Sequence, residues 1–296
     1  MASEELQFVR ELVGGLELDA MTIVERRAVM GRATSVPPAG TTVEPADAGG
    51  VPAEWLAAAG VAGRRVLMYL HGGAYQVGSP ATLRHLKALL SAAASSRVLS
   101  VGYRLAPEHP FPAAVEDALT AYRWLLAGGT DPAAIVIAGD SAGGGLTLAT
   151  LVAARDAGQP LPAAAAVISP WTDLALTGES LRTRAAVDVM LKPAGIAETA
   201  ELYLAGADPR HPYASPLYAD LRGLPPILIH VGDAEVILDD STRFAARARA
   251  AGVDVTLEVW DEMPHVWHAF AGVLPEADQA VASIGAWLSE RYADGE

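Results

Sequence analysis

Short apolar runs rich in β-branched residues alternate along this chain with longer stretches in which apolar side chains return every three or four positions. The runs 65–70 (RVLMYL), 98–103, 133–138 (AAIVIA), 164–169, 226–231 (PILIHV) and 255–260 are of the first kind and read as strands buried on both faces. The stretches 82–94, 113–127, 144–157, 241–251 and 277–291 are of the second kind and read as helices. Strand and helix in regular alternation predict an α/β fold, a mostly parallel sheet with helices on both faces.

Two segments stand outside that alternation. Residues 1–40 precede the sheet and carry helical spacing at Leu6, Val9, Leu12 and Val13 and again over 23–30, with Gly14 and Gly15 between the pieces. They read as cap helices. Residues 176–216 hold no strand pattern and are broken by Pro193, Gly195, Gly206, Pro209 and Pro212, so they read as an inserted cap segment with a helix over 193–204. The catalytic core is then expected over 41–175 and 217–296, opening with two antiparallel edge strands at 41–43 and 54–58 around the turn at Gly49 and Gly50.

Composition narrows the function. Hydrophobic residues make up 51% of the chain and charged ones 19%, as in a globular protein. A formal net charge of -14 disfavours nucleic acid and anionic lipid and leaves a neutral or apolar small molecule as the easier guest. The absence of cysteine excludes disulfides, thiolate metal sites and cysteine nucleophiles. An acidic first segment and the lack of a long apolar run predict neither a secretion signal nor a membrane span, so a cytoplasmic location is expected.

The chemistry is concentrated at the ends of the buried runs. Gly139-Asp140-Ser141-Ala142-Gly143 joins a predicted strand directly to a helix, with glycine two places before and two after the serine. This is the nucleophile-elbow pattern: the turn is so tight that a Cβ at either glycine would meet backbone, and the hydroxyl is pushed out above the start of the helix. His71-Gly72-Gly73-Ala74-Tyr75 follows another strand, and its glycines leave backbone N–H groups free to face inward, as an oxyanion hole requires. His71 reads as a brace for that loop, and Asp140 as structural. The proline-studded loop 103–112 reads as rigid, with Arg104 and Glu108 paired inside it. Later loops supply the carboxylates Asp233, Glu235, Asp239 and Asp240 and the histidines His265 and His268, in the chain order serine, acid, histidine. Asp239 and Asp240 sit just before a predicted helix and read as N-cap groups. A metal site on the two histidines lacks further ligands. Trp171, Leu191, Tyr203 and Leu204 read as core or as pocket wall.

These motifs resemble those of the hormone-sensitive-lipase-like branch of the α/β-hydrolases. Residues 71–75 look like its HGG(G/A) oxyanion motif, 103–112 like its YRLAPEHPFPAA loop and 139–144 like its GDSAGG elbow, a resemblance spanning roughly 65–270. It implies a carboxylic-ester hydrolase with an N-terminal cap, no metal and no organic cofactor, similar to bacterial short-chain esterases and ε-lactone hydrolases. The family's Asp-Pro-Leu-x-Asp stretch matches Glu235-Val236-Ile237-Leu238-Asp239, which hands the acid role to Glu235, with Asp233 as rival. His265 is the expected base and His268 its rival. The resemblance thus implies a triad of Ser141, His265 and Glu235, with the N–H groups of Gly73, Ala74 and Ala142 as oxyanion donors and Gly72 shaping their loop. It also implies a homodimer. The alternative is a non-catalytic small-molecule-binding protein on the same fold; peracid chemistry is a further possibility within the enzymes.

Overall fold

The computed structural model describes residues 3–16, 21–32 and 36–292, apart from the side chains of Met30 and Arg32. Eight strands form one sheet: β1 (Thr42–Asp47), β2 (Pro52–Ala57), β3 (Val66–Leu70), β4 (Arg97–Val101), β5 (Ile135–Asp140), β6 (Ala164–Ile168), β7 (Ile227–Gly232) and β8 (Val255–Trp260). Their order is β1-β2-β4-β3-β5-β6-β7-β8. The pairs β1–β2 and β2–β4 are antiparallel, and every pair from β4 to β8 is parallel. The predicted α/β architecture is therefore the observed one, and the strand that feeds Ser141 lies in the middle of the parallel part.

Alternation along each strand splits the core in two. On β3, Met68 and Leu70 face one side while Leu67 and Tyr69 face the other, all fully buried. The first side is covered by α4 (Ala113–Ala127), α5 (Ala142–Asp156) and α8 (Leu238–Ala250), with Tyr122, Leu146 and Phe244 in contact with the sheet. The second is covered by α3 (Arg84–Ala94) and α9 (Pro275–Ser289), through Leu86, Leu90, Ile284 and Leu288. A sheet covered on both faces needs continuous apolar strands, which is why the strand runs lack polar alternation.

The two extra segments meet at the carboxyl end of the sheet. In the N-terminal one, α1 (Glu4–Gly14) buries Leu6, Val9 and Val13 in the same cluster as Met263 and Val266. Its Ser3 caps it by accepting the Leu6 N–H. Among the described side chains of α2 (Ile23–Arg32) none is fully buried, and Arg27 ties the helix to the core. That guanidinium donates to the carbonyls of Gln76 and Ala106 and forks onto Glu108 at 2.7 Å. Residues 1–2, 17–20 and 33–35 of the expected cap lie outside the described residues. The inserted segment carries the short α6 (Ser180–Thr183) and α7 (Pro193–Leu204), whose Ile196, Ala200 and Tyr203 join the main core.

Two expectations about charged residues are overturned. Arg104 does not pair with Glu108; it forks onto Asp117 and also reaches Glu116, while Glu108 goes to Arg27. The fold brings carboxylates of α4 alongside Arg104 and a guanidinium of α2 alongside Glu108, and these partners win over neighbours in the loop. Asp239 and Asp240 are not N-caps, because α8 already begins at Leu238. Asp239 instead accepts the Ser180 N–H at 3.0 Å, and Asp240 those of Thr172 and Asp173 at 2.7 and 2.8 Å. Asp239 thereby ties the start of the inserted segment to α8, and Asp240 ties the loop just before it. Among the described residues no helix is long and apolar enough to cross a membrane.

Candidate active site

Between the last residue of β5 and the first of α5 stands only Ser141. Its backbone is at φ 54°, ψ -123°, a conformation that costs a non-glycine residue energy and persists only where the surroundings enforce it. The enforcement is visible on both sides. A Cβ at Gly139 would meet the Gly143 carbonyl, and one at Gly143 would meet the carbonyls of Leu70 and His71. Ser141 N–H donates to Ile168 O at 2.8 Å, and its own carbonyl accepts from Trp171 N at 3.0 Å. Backbone packing thus lifts the side chain off the sheet and leaves it at the mouth of α5.

The glycine loop after β3 lies alongside. Asp140, buried beneath it, accepts the Gly72 N–H at 3.0 Å and the Tyr69 hydroxyl at 2.9 Å. Burial raises the pKa of this carboxyl, against the lowering effect of those two hydrogen bonds. A Cβ on Gly72 would collide with the same carboxylate, which is the reason for glycine there. With its N–H committed to Asp140, Gly72 shapes the loop and does not face solvent as a donor. The N–H groups of Gly73 and Ala74 donate to no acceptor among the described residues, and that of Ala142 opens a helix, where no intrahelical acceptor exists. His71 is stacked on Tyr103 with ring centroids 4.3 Å apart, and its Nδ1 donates to the Gly72 carbonyl. Burial pushes its pKa down to about 4, so it is a neutral brace at ordinary pH.

On the other side of Ser141 the loops after β7 and β8 converge. His265 Nε2 lies 2.9 Å from Ser141 Oγ, and His265 Nδ1 lies 2.7 Å from Glu235 Oε2. The second carboxylate oxygen, Oε1, accepts from the Ser169 hydroxyl at 2.7 Å and from Gly232 N at 2.6 Å. Ser169 also accepts the Val266 N–H, so one hydroxyl touches the loops that carry the carboxylate and the imidazole. Burial of the His265 ring pulls its pKa down, but the charge and hydrogen bond of Glu235, with Asp188 and Asp140 behind, outweigh it. The net shift is upward from 6.5.

The rival groups lie elsewhere. Asp233 accepts the Glu262 N–H at 2.7 Å and makes no bond to His265. His268 is fully buried, 3.1 Å from His230 Nδ1, and burial drives its pKa well down. Ser169 and Asp188 are members of this arrangement that the motifs do not announce. A serine at the carboxyl end of the strand beside the nucleophile strand was the one signal available for Ser169.

Ser141, His265, Gly73 and Ala74 line a cavity of about 480 Å³. Its walls are largely apolar: Leu12 and Leu16 from α1 and its end, Trp171 after β6, Leu191 and Ile196 from the inserted segment, Phe270 beyond His265. Of the aromatic and leucine residues open to two readings, Trp171 is both core and wall, Leu191 is wall, and Tyr203 and Leu204 are core. An apolar hollow with a few converging polar groups suits a small neutral ligand.

Comparison with known proteins agrees with this architecture. The family described as alpha/beta hydrolase fold matches residues 67–269. An acetyl-hydrolase of Streptomyces hygroscopicus is 50% identical, covering 100% of this chain and 99% of its own. A solved esterase from the bacterial hormone-sensitive lipase family superposes with a TM-score of 0.95 at 47% identity, covering 99% of this chain and 100% of its own. A solved structure of EstE5 soaked with p-nitrophenyl butyrate superposes with a TM-score of 0.95 at 46% identity, covering 98% of this chain and 99% of its own. The chain belongs to the α/β-hydrolase family, in its hormone-sensitive-lipase-like branch.

Proposed function

We propose that this protein is a carboxylic ester hydrolase acting on short- to medium-chain esters or lactones, with Ser141 as nucleophile, His265 as base and Glu235 as the acid that orients it. The observation that carries the reading is the unbroken line of hydrogen bonds from Glu235 through His265 to Ser141, at 2.7 and 2.9 Å, ending at the cavity. His265 takes the hydroxyl proton as Ser141 Oγ attacks the ester carbonyl. Negative charge then develops on the carbonyl oxygen, and the N–H groups of Gly73, Ala74 and Ala142 are the donors assigned to it. The imidazolium passes its proton to the departing alcohol, leaving an acyl-enzyme. Water, deprotonated by the same histidine, releases the acid. Glu235 holds the imidazole in the tautomer with Nε2 unprotonated and stabilises the imidazolium that forms.

The substrate class rests on the apolar walls, the strongly acidic chain, and relatives bearing the name acetyl-hydrolase or soaked with a butyrate ester. A cytoplasmic location, a homodimer and indifference to nucleic acid belong to the same reading. Hydrolysis of p-nitrophenyl esters from acetate to palmitate tests it. The expected profile peaks at short chains and is abolished in Ser141→Ala. No turnover by folded wild-type protein would favour the non-catalytic binding protein instead.

A further inference from the structure

Asp188 lies between α6 and α7, outside every motif, and is 1% exposed. Its Oδ1 accepts the N–H groups of Met190 and Leu191 at 2.9 and 2.8 Å, and its Oδ2 accepts that of Val236 at 2.8 Å. Met190, Leu191 and Lys192 line the cavity, and Val236 directly follows Glu235. One buried carboxylate therefore fastens a piece of the cavity wall to the loop that carries the proposed triad acid. Charge-assisted hydrogen bonds in a low-dielectric interior are the strong kind, so the two pieces hold as one. The Asp188 charge also reaches the His265 ring, where it adds to those of Glu235 and Asp140. Facing Asp188 itself is Lys192, whose Nζ donates to the Asp188 carbonyl at 2.5 Å.

We infer that Asp188 is a positioning residue, which fixes the Glu235 loop against the wall at residues 190–192 and places a further negative charge behind His265. The inference rests on the proposed roles of Glu235 and His265. Asp188→Asn is the sharpest probe: its amide can still accept from Met190 and Leu191, but it sets an N–H donor against that of Val236 and removes the charge. Asp188→Glu keeps the charge and disturbs the three-point contact.

The test is the pH dependence of kcat and kcat/KM for p-nitrophenyl acetate and butyrate in wild type, both variants and Ser141→Ala, with thermal unfolding followed in parallel. In Asp188→Asn the acid limb of kcat/KM is expected to move down by about half a pH unit, with kcat lowered about tenfold. In Asp188→Glu the limb stays at its wild-type position while kcat falls. A folded Asp188→Asn with an unmoved acid limb and wild-type kcat overturns the inference. Should Asp188→Asn fail to fold, Asp188→Glu decides alone: wild-type kcat and KM in that variant overturn it. Failure of the proposed function is distinct, because it shows as an inactive wild type or an active Ser141→Ala.

Discussion

The two sides of Ser141 are built from different materials. On the side of the glycine loop and the elbow the geometry is backbone: Gly139, Gly143 and Gly72 stand where any Cβ would strike a neighbouring carbonyl or carboxylate. On the side of His265 it is side chain: Glu235 is held by Ser169 and Gly232, its loop by Asp188, and the imidazole by Glu235. A backbone-built side is all or nothing, since a single methyl group displaces the chain. A side chain-built side is graded, since each hydrogen bond can be removed separately. The difference predicts unlike responses to mutation.

The largest effect is expected on the backbone side. Gly143→Ala drives a methyl group into the Leu70 and His71 carbonyls, which lie in a fully buried strand end. Unfolding should shift down by about 10 °C or leave no folded protein, as thermal denaturation followed by circular dichroism would record. An alanine variant with wild-type stability and activity would break the comparison. Next comes Glu235→Gln, which keeps the shape but withdraws the charge from His265. Its kcat should fall by about 10³ to 10⁴ with little change in unfolding temperature, in steady-state assays with p-nitrophenyl butyrate. Near-normal kcat would move the acid role away from Glu235. Ser169→Ala removes one of two donors to Glu235 Oε1 and the acceptor of Val266 N–H. About a tenfold loss in kcat is expected, small beside Glu235→Gln because Gly232 still holds the carboxylate.

The smallest effect needs no mutation. The proposed base acts when neutral, and its pKa in the folded protein lies above 6.5, so kcat/KM should fall on the acid side with a midpoint above pH 6.5. The same shift has a stability consequence of fixed sign. A histidine whose folded pKa is raised stabilises the fold fully below the unfolded value of 6.5, and that contribution fades as pH rises through the folded value. An acid limb below pH 6.5 would contradict the assignment of His265 as a base paired with carboxylates.

The contrast also explains what the sequence could tell. Strands buried on both faces announce themselves as unbroken β-branched runs, and the elbow announces itself because glycine at fixed spacing is the signature of crowded backbone. Boundaries differ where helices begin: α5 starts at Ala142, two residues before the stretch read as helical, because Ala142 and Gly143 belong to the elbow and carry no helical pattern of their own. Glu235, Asp233, His265 and His268 were visible as candidates, but only the fold separates them, by sending Asp233 to Glu262 and His268 to His230. Asp188 leaves no sequence signal and Ser169 only its place at a strand end, since the contacts that bring them to the site, with Val236 and with Glu235, span 48 and 66 residues along the chain. Arg104 and Glu108 were mispaired for the same reason: Glu108 finds Arg27, which is 81 residues distant. Side-chain contacts between distant elements leave no local periodicity to read.

The central claim is that an ester carbonyl is attacked by Ser141 Oγ with His265 as its base. Rapid-quench mass spectrometry of the protein mixed with p-nitrophenyl butyrate addresses it most directly. The account predicts one butyryl group on the peptide carrying Ser141, formed and lost at rates consistent with turnover, and no adduct or turnover in Ser141→Ala. A butyryl group on another residue, or undiminished hydrolysis by folded Ser141→Ala, would contradict it.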